Sequence, residues 1–348
     1  MPGGTSSSAS SGIRIRWQRA RMCATLSSSL RACAARRIVA PRVGISYSWR
    51  VRGSQRSLRR CASVFLTSLG ISACAPAAGS TTSDVAIAAG TRGVPLFGDE
   101  FSGPALDRTK WTVYTGPVYN SELQEYVDDS ATVSLVRGAE AEGAVDGALV
   151  IRAHRRGAQA GGPLRPEFVS GRLHGRVLFR FGTVAARMKL PAGAGLWPAF
   201  WLLGGGEWPA SGEIDVMENV GDSTWVSVAL HGPGYSGDTP LVRRTTLPAA
   251  RDATQWHEYA VTWTADSIVF RVDGETAYRV TRDQVAAHGP PAALDSAKYV
   301  VLNLALGGTY PAAVNGVQAP RLGLPDATLP RIERGEAKVL IDWVRATR

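Results

Sequence analysis

The chain has 348 residues, 45% of them apolar, enough for two average domains or one large all-β domain with a sizeable core. Its net charge of +10 does not point to nucleic acid, because residues 1–74 carry 13 Arg and no acidic residue, leaving 26 basic against 29 acidic residues in the body. Cys23, Cys33, Cys61 and Cys74 all precede the body, which therefore has no disulfide or Cys metal site, and its five His lack zinc-ligand spacing.

Residues 1–50 are rich in Arg, Ser and Ala and show no sustained period, so no structure is expected there. They read as an over-long gene start, with Val51 as an alternative first residue. Residues 51–74 read as a signal peptide. Arg56, Arg59 and Arg60 precede the apolar run Cys61–Ala73, which is too short for a stable membrane span. The run ends in Ile71-Ser72-Ala73-Cys74, which resembles a bacterial lipobox and marks Cys74 for lipidation. Ordinary cleavage near Ala75 is the alternative. Residues 75–92 are small and polar and read as a flexible tether. The expectation is an exported protein: an outer-membrane lipoprotein held by a lipid anchor, or an extracellular or periplasmic protein.

From Val94 onward, short alternating apolar runs are separated by Gly, Pro and Asp turns. Strands are expected at Leu149–Ala153, Gly182–Leu190, Glu213–Glu218, Trp225–His231, Trp256–Trp263, Ile268–Val272, Tyr299–Leu306 and Val339–Val344. Asp273-Gly274 reads as a hairpin turn, and Thr281–Ala287 as the one helix. No βαβ alternation appears. The body, residues 93–348, is expected to be a single all-β domain, a sandwich or barrel.

The segment Glu213-Ile214-Asp215-Val216-Met217-Glu218 carries the chemistry. On a helix the three acids would point in different directions. On a strand, Glu213 and Asp215 share a face, and strict alternation turns Glu218 away. A β-bulge near Met217 returns Glu218 to the acidic face. Deletion of Met217 is accordingly expected to turn Glu218 off that face. Clustered carboxyls repel, which keeps one protonated near neutral pH while another is ionised. Retaining glycosidases need that pair as acid/base and nucleophile. A solvated acidic face and a calcium site are the alternative readings of the bare spacing.

The surroundings favour a sugar cleft. Trp197 and Trp201 fall on one face of a strand, and Trp208 lies five residues before Glu213. Alternation puts Val226, Val228 and Leu230 on one face of the next strand and His231 on the other. It likewise puts Asn303 opposite Val300, Leu302 and Leu304.

The segment Trp208–Asn219 (WPASGEIDVMEN) closely resembles the active-site strand of family 16 glycoside hydrolases, in the bulged, laminarinase-like form. The resemblance runs over Phe97–Arg345 and includes Asn120–Tyr126 (NSELQEY), Ser170-Gly171-Arg172 and His231–Gly237 (HGPGYSG). It implies a two-sheet β-jelly-roll sandwich with a substrate cleft on the concave sheet. It implies Glu213 as nucleophile, Glu218 as acid/base and Asp215 as supporting carboxylate. Trp201, Trp208 and His231 fall on substrate-contact positions, with Asn120 and Arg172 as further sugar contacts. Glu100, the Gly147 carbonyl and Asp342 fall on the positions of a structural calcium, which has no part in catalysis. The expected activity is retaining hydrolysis of internal β-1,3-glucosidic bonds in laminarin-type β-glucans by a monomer. Alternatives are another family 16 activity (mixed-linkage glucan or galactan hydrolysis, or transglycosylation), a non-catalytic glucan-binding protein, or a structural envelope protein. Tyr310 stands where the family often has Trp, and Ala312–Ala337 is the least familiar stretch.

Overall fold

A computed structural model of the chain describes residues 93–157 and 165–348. Cys74 and the segments 1–50, 51–74 and 75–92 lie outside the described residues. The chain divides into two units, and all described residues fall in the second, Ser83–Arg348.

Two antiparallel sheets form the body. The seven-stranded sheet runs, edge to edge, Leu241–Thr246, Trp225–His231, Glu213–Glu218, Leu196–Gly204, Lys298–Leu306, Arg172–Gly175 and Trp111–Val113. The eight-stranded sheet runs Glu275–Thr281, Ser267–Val272, His257–Trp263, Gly182–Lys189, Lys338–Thr347, Ala148–Arg152 and Val133–Val136, with Pro95–Asp99 also paired to Lys338–Thr347. A small third sheet joins Gln124–Tyr126, Phe168–Ser170 and His154–Arg155. The expected all-β sandwich is therefore what forms, and the expected strands match to within a few residues. The Asp273-Gly274 turn has both residues at positive φ, 50° and 84°, as a tight hairpin between paired Val272 and Glu275 requires. The expected helix forms as Arg282–Ala286. Its Thr281 cap accepts from the Gln284 N–H, and the Gln284 side chain answers the Thr281 N–H.

One main core lies among the inward faces. Ile214, Val216, Val226, Val228, Leu230, Phe200, Leu202, Leu302 and Leu304 from the seven-stranded sheet belong to it, as do Val184, Ala186, Tyr259, Val261, Phe270 and Ile341 from the other. Burying side chains of this size stabilises by about 1.5–3 kcal/mol each before conformational entropy is set against it. Period-2 alternation leaves the outer face of the seven-stranded sheet to Trp197, Trp201, Glu213, Asp215, His231, Asn303 and Arg172.

The bulge is present. Asp215 opposes Ala229 and Glu218 opposes Ser227, so three steps on one strand match two on its neighbour. On the other side Trp201 opposes Asp215 while Phe200 opposes Met217. Val216 and Met217 are both fully buried in the core. The extra core-facing residue is what lets Glu218 face outward. This geometry corrects the expectation for Met217. Its deletion would leave Val216 alone between Asp215 and Glu218, restore strict alternation and keep Glu218 on the acidic face, at the cost of a core side chain.

Candidate active site

Backbone constraints deliver the acidic strand. Gly212 enters it at φ +70°, where a Cβ would lie 2.4 Å from the Ala293 Cα, so glycine is required. The N–H of Gly204 donates to the Gly212 carbonyl at 3.0 Å. Just upstream, the buried Lys298 ammonium donates to the carbonyls of Ser211 (3.1 Å) and Ser296 (3.0 Å). At the far end, buried Asn219 donates to the carbonyls of Asp222 and Trp225 and accepts from the Gly221 N–H. That side chain closes the turn into Trp225–His231.

Between these clamps, Glu213, Asp215 and Glu218 line one cleft with Asn120, Arg172, Trp197, Trp201 and Asn303. The Trp197 indole N–H donates to Glu218 Oε1 at 2.9 Å. His231 Nε2 lies 3.3 Å from Asp215 Oδ2 and 3.9 Å from Glu213 Oε1. The nearer contact lacks hydrogen-bond alignment, and Asp215 Oδ2 has no hydrogen-bond partner. Burial, reinforced by Asp215 and opposed by His231, pushes Glu213 up to about 8. Burial alone pushes Asp215 up to about 8. Burial and then Asp215 do the same to Glu218, against the charge of His231 and the Trp197 N–H. Coupled carboxyls of this kind share protons near neutral pH. That is the condition for one to act as an acid while its neighbour is an anion.

The acidic strand and most of the cleft residues fall within a match to a known family. Residues 123–316 match the glycosyl hydrolases family 16 description. The chain belongs to this family. As a family 16 member it is a glycoside hydrolase. It is 33% identical over 245 residues to a glucan endo-1,3-beta-glucosidase A1 of Niallia circulans, an alignment covering 62% of this chain and 34% of that protein. The chain thus spans about a third of that relative's length. It is 34% identical over 227 residues to a glucan endo-1,3-beta-glucosidase of Cryptopygus antarcticus, covering 61% of this chain and 80% of that one. The crystal structure of an endo-beta-1,3-glucanase from Pyrococcus furiosus superposes with a TM-score of 0.59 at 34% identity, over 72% of this chain and 93% of that one.

Within this family 16 site, the expected sugar contacts separate into distinct roles. Trp201 is partly exposed, with its N–H fixed by Asn303 Oδ1 at 2.7 Å. Trp208 is 46% exposed, its ring centroid 6.3 Å from that of His231. Trp208 is open to solvent, whereas Trp201 has the Arg172 guanidinium 4.7 Å from its ring centroid and is open only in part. Trp197 is buried: it is 8% exposed and packs with Val220, Trp225 and Ala305, with Tyr310 edge-on at 5.4 Å. It holds Glu218 rather than presenting a platform. His231 faces the acids. The Tyr310 hydroxyl is spent on Ser227 Oγ at 3.0 Å, so Tyr310 supports Trp197 from beneath.

The cleft also contains residues that the sequence reading did not assign: Tyr119, Glu122 and Tyr126. Glu122 accepts from Gln124 and from the Tyr126 hydroxyl, which in turn accepts from Asn303 at 3.3 Å. Glu122 and Tyr126 lie in the NSELQEY segment and Tyr119 just before it, but alternation alone gives no reason for that segment to reach Asn303.

The residues on the calcium positions do not fit a cation as arranged. Asp342 is 1% exposed; its Oδ1 accepts from the Val145 N–H and its Oδ2 from Arg187 at 2.5 Å. Glu100 holds Arg345 through both oxygens at 2.8 Å. Beside Gly147, the Asp146, Ser102 and Gly103 carbonyls all accept from Arg137. Arg187 and Arg345 thus take up the Asp342 and Glu100 oxygens that a calcium cage would need, and Arg137 crowds the Gly147 position from its neighbours' carbonyls. A melt in excess chelator is expected to match one in millimolar calcium. A chelator-induced drop in Tm beyond experimental scatter would show that an ion displaces these arginines.

Proposed function

We propose that the chain hydrolyses internal β-1,3-glucosidic bonds of laminarin-type β-glucans with retention of configuration. The observation that carries this reading is the bulged strand, which aims Glu213, Asp215 and Glu218 into one aromatic-lined cleft. Glu213 attacks the anomeric carbon as the glycosidic oxygen departs, and Glu218 gives that oxygen its proton. A covalent glycosyl-enzyme results. Glu218, now ionised, takes a proton from water, which displaces Glu213 and restores both groups. The Trp197 N–H holds Glu218 Oε1 and leaves Oε2 to carry the proton. Asp215 and His231 balance charge as Glu213 passes between anion and ester. Trp201 and Trp208 stack against pyranose C–H faces, and Arg172, Asn120 and Asn303 supply polar contacts.

The names of the relatives support β-1,3-glucan as the substrate. The test is reducing-sugar release from laminarin, lichenan, agarose and carrageenan. Laminarin is expected to be cleaved fastest, and no release from laminarin overturns the reading. Export with lipidation at Cys74 is part of the same proposal, supported by the lipobox-like sequence. The mass of the mature N-terminus decides it: a diacylglyceryl cysteine supports lipidation, and an unmodified start near Ala75 refutes it.

A further inference from the structure

On the side of the cleft away from the Trp225–His231 strand, Arg172 is 6% exposed and its guanidinium lies over two rings. The Trp201 centroid is 4.7 Å away and the Tyr114 centroid 4.6 Å. Arg172 Nε donates to His174 Nε2 at 2.9 Å. That bond requires an unprotonated Nε2, and burial and then the Arg172 charge pull the His174 pKa down to about 3. The His174 ring stacks on Tyr114 at 4.8 Å and 19°, and meets Tyr299 at 5.2 Å. Trp201, Arg172, Tyr114, His174 and Tyr299 therefore form a continuous aromatic and cationic row leading away from the acids.

Tyr119 stands at the rim of this row. It lines the same cleft as Glu213, yet it is 58% exposed. Its loop is held firmly. The Tyr114 hydroxyl donates to the Pro117 carbonyl at 2.9 Å, and the Glu122 N–H donates to the Tyr119 carbonyl at 2.9 Å. The Thr309 N–H donates to the Asn120 carbonyl at 2.8 Å. Gly116 lets the loop fold onto Tyr114, since a Cβ there would lie 2.5 Å from that ring. A large aromatic face on a fixed loop, open to solvent beside a sugar cleft, is suited to stacking on another ring.

We propose that Tyr119 is a distal glucosyl-binding residue that makes this enzyme respond to glucan chain length. The proposal rests on the β-1,3-glucanase reading and adds a contact remote from the bond that is cleaved. Arg172, fixed by Tyr114 and His174, bridges this contact to the Trp201 platform. A sugar on Tyr119 contributes binding energy only when the chain is long enough to reach it.

The test compares wild type, Tyr119→Ala and Tyr119→Phe on laminarioligosaccharides from three to seven units. Tyr119→Ala is expected to lower kcat/KM on the longest substrates by about 3- to 10-fold, the scale of one aromatic stack. The shortest cleaved substrate is expected to be unaffected. Tyr119→Phe keeps the ring and is expected to follow wild type. An equal loss at every length, or none at any length, overturns the proposal while leaving the glucanase reading intact. A wild type that cleaves neither these oligosaccharides nor laminarin overturns both, and one that cleaves laminarin but none of the oligosaccharides overturns the role of Tyr119 alone.

Discussion

Glu213→Gln is expected to reduce turnover of laminarin by at least about 10⁴-fold, the scale seen when an enzymatic nucleophile is removed. Glutamine keeps the size and the outward direction of the side chain but cannot form the glycosyl ester. Because burial already pushes Glu213 up to about 8, a neutral amide there is well tolerated by the fold. Binding of laminarioligosaccharides is expected to persist, since Trp201, Trp208 and Arg172 are untouched. A smaller truncation, Glu213→Ala, with added azide should yield a glycosyl azide of inverted configuration, because the anion attacks from the face the carboxylate has vacated. Wild-type turnover in Glu213→Gln would remove Glu213 from the chemistry. If the wild type and this variant were equally inert on every glucan, the glucan-binding alternative would stand instead.

The Glu218 variants are expected to fail differently. Glu218→Ala should lose about 10²–10⁴-fold on laminarin, the usual contribution of a general acid–base group. The loss should shrink on substrates with an activated aryl leaving group, which departs without a proton. Azide should then give a product of retained configuration, because it attacks the glycosyl-enzyme left on Glu213. The pH profile carries the same information. Burial and Asp215 push Glu218 up to about 8. Its protonated form, the one that donates, persists through neutrality and is lost as pH rises through that value. Glu213 and Asp215 are pushed to about the same value, so the three titrate as one coupled set. The alkaline limb of kcat/KM for the wild type is expected where that set loses its last proton, and it should vanish in Glu218→Ala. An unchanged alkaline limb would assign that ionisation to another group.

The acidic strand was legible in the sequence because alternation is local. Counting faces from Glu213 forces a bulge before Glu218, and the register supplies one between Asp215 and Glu218. Which residues the bulge turns inward was not legible. Val216 and Met217 both enter the core, and that reverses what deletion of Met217 does. The faces of Trp197 and Trp201 followed from their spacing, but their roles did not. Trp197 becomes a support for Glu218 only because Tyr310, 113 residues later, packs against it. The Arg172 row depends on Tyr114, His174 and Tyr299, which come from three separate segments.

The short helices Thr309–Asn315 and Leu329–Glu333 were missed for a related reason. Each is too brief to show a period, and each is held by tertiary contact rather than propensity. They lie in or beside the stretch from Ala312 to Ala337, the part least familiar by resemblance. The calcium positions also turn on pairing: Asp342 sits where the register slips between Ile341 and Trp343, opposite Arg187. The resulting ion pair is a consequence of that slip and was invisible in the linear spacing.

In the proposed reaction, two glutamates on one bulged strand cleave β-1,3-glucan through a covalent intermediate. Proton NMR of the purified protein acting on laminarin, followed from the first minutes, tests it most directly. The new reducing ends are expected to appear first as the β-anomer and only later to equilibrate by mutarotation. Reducing ends that appear first as the α-anomer would contradict it.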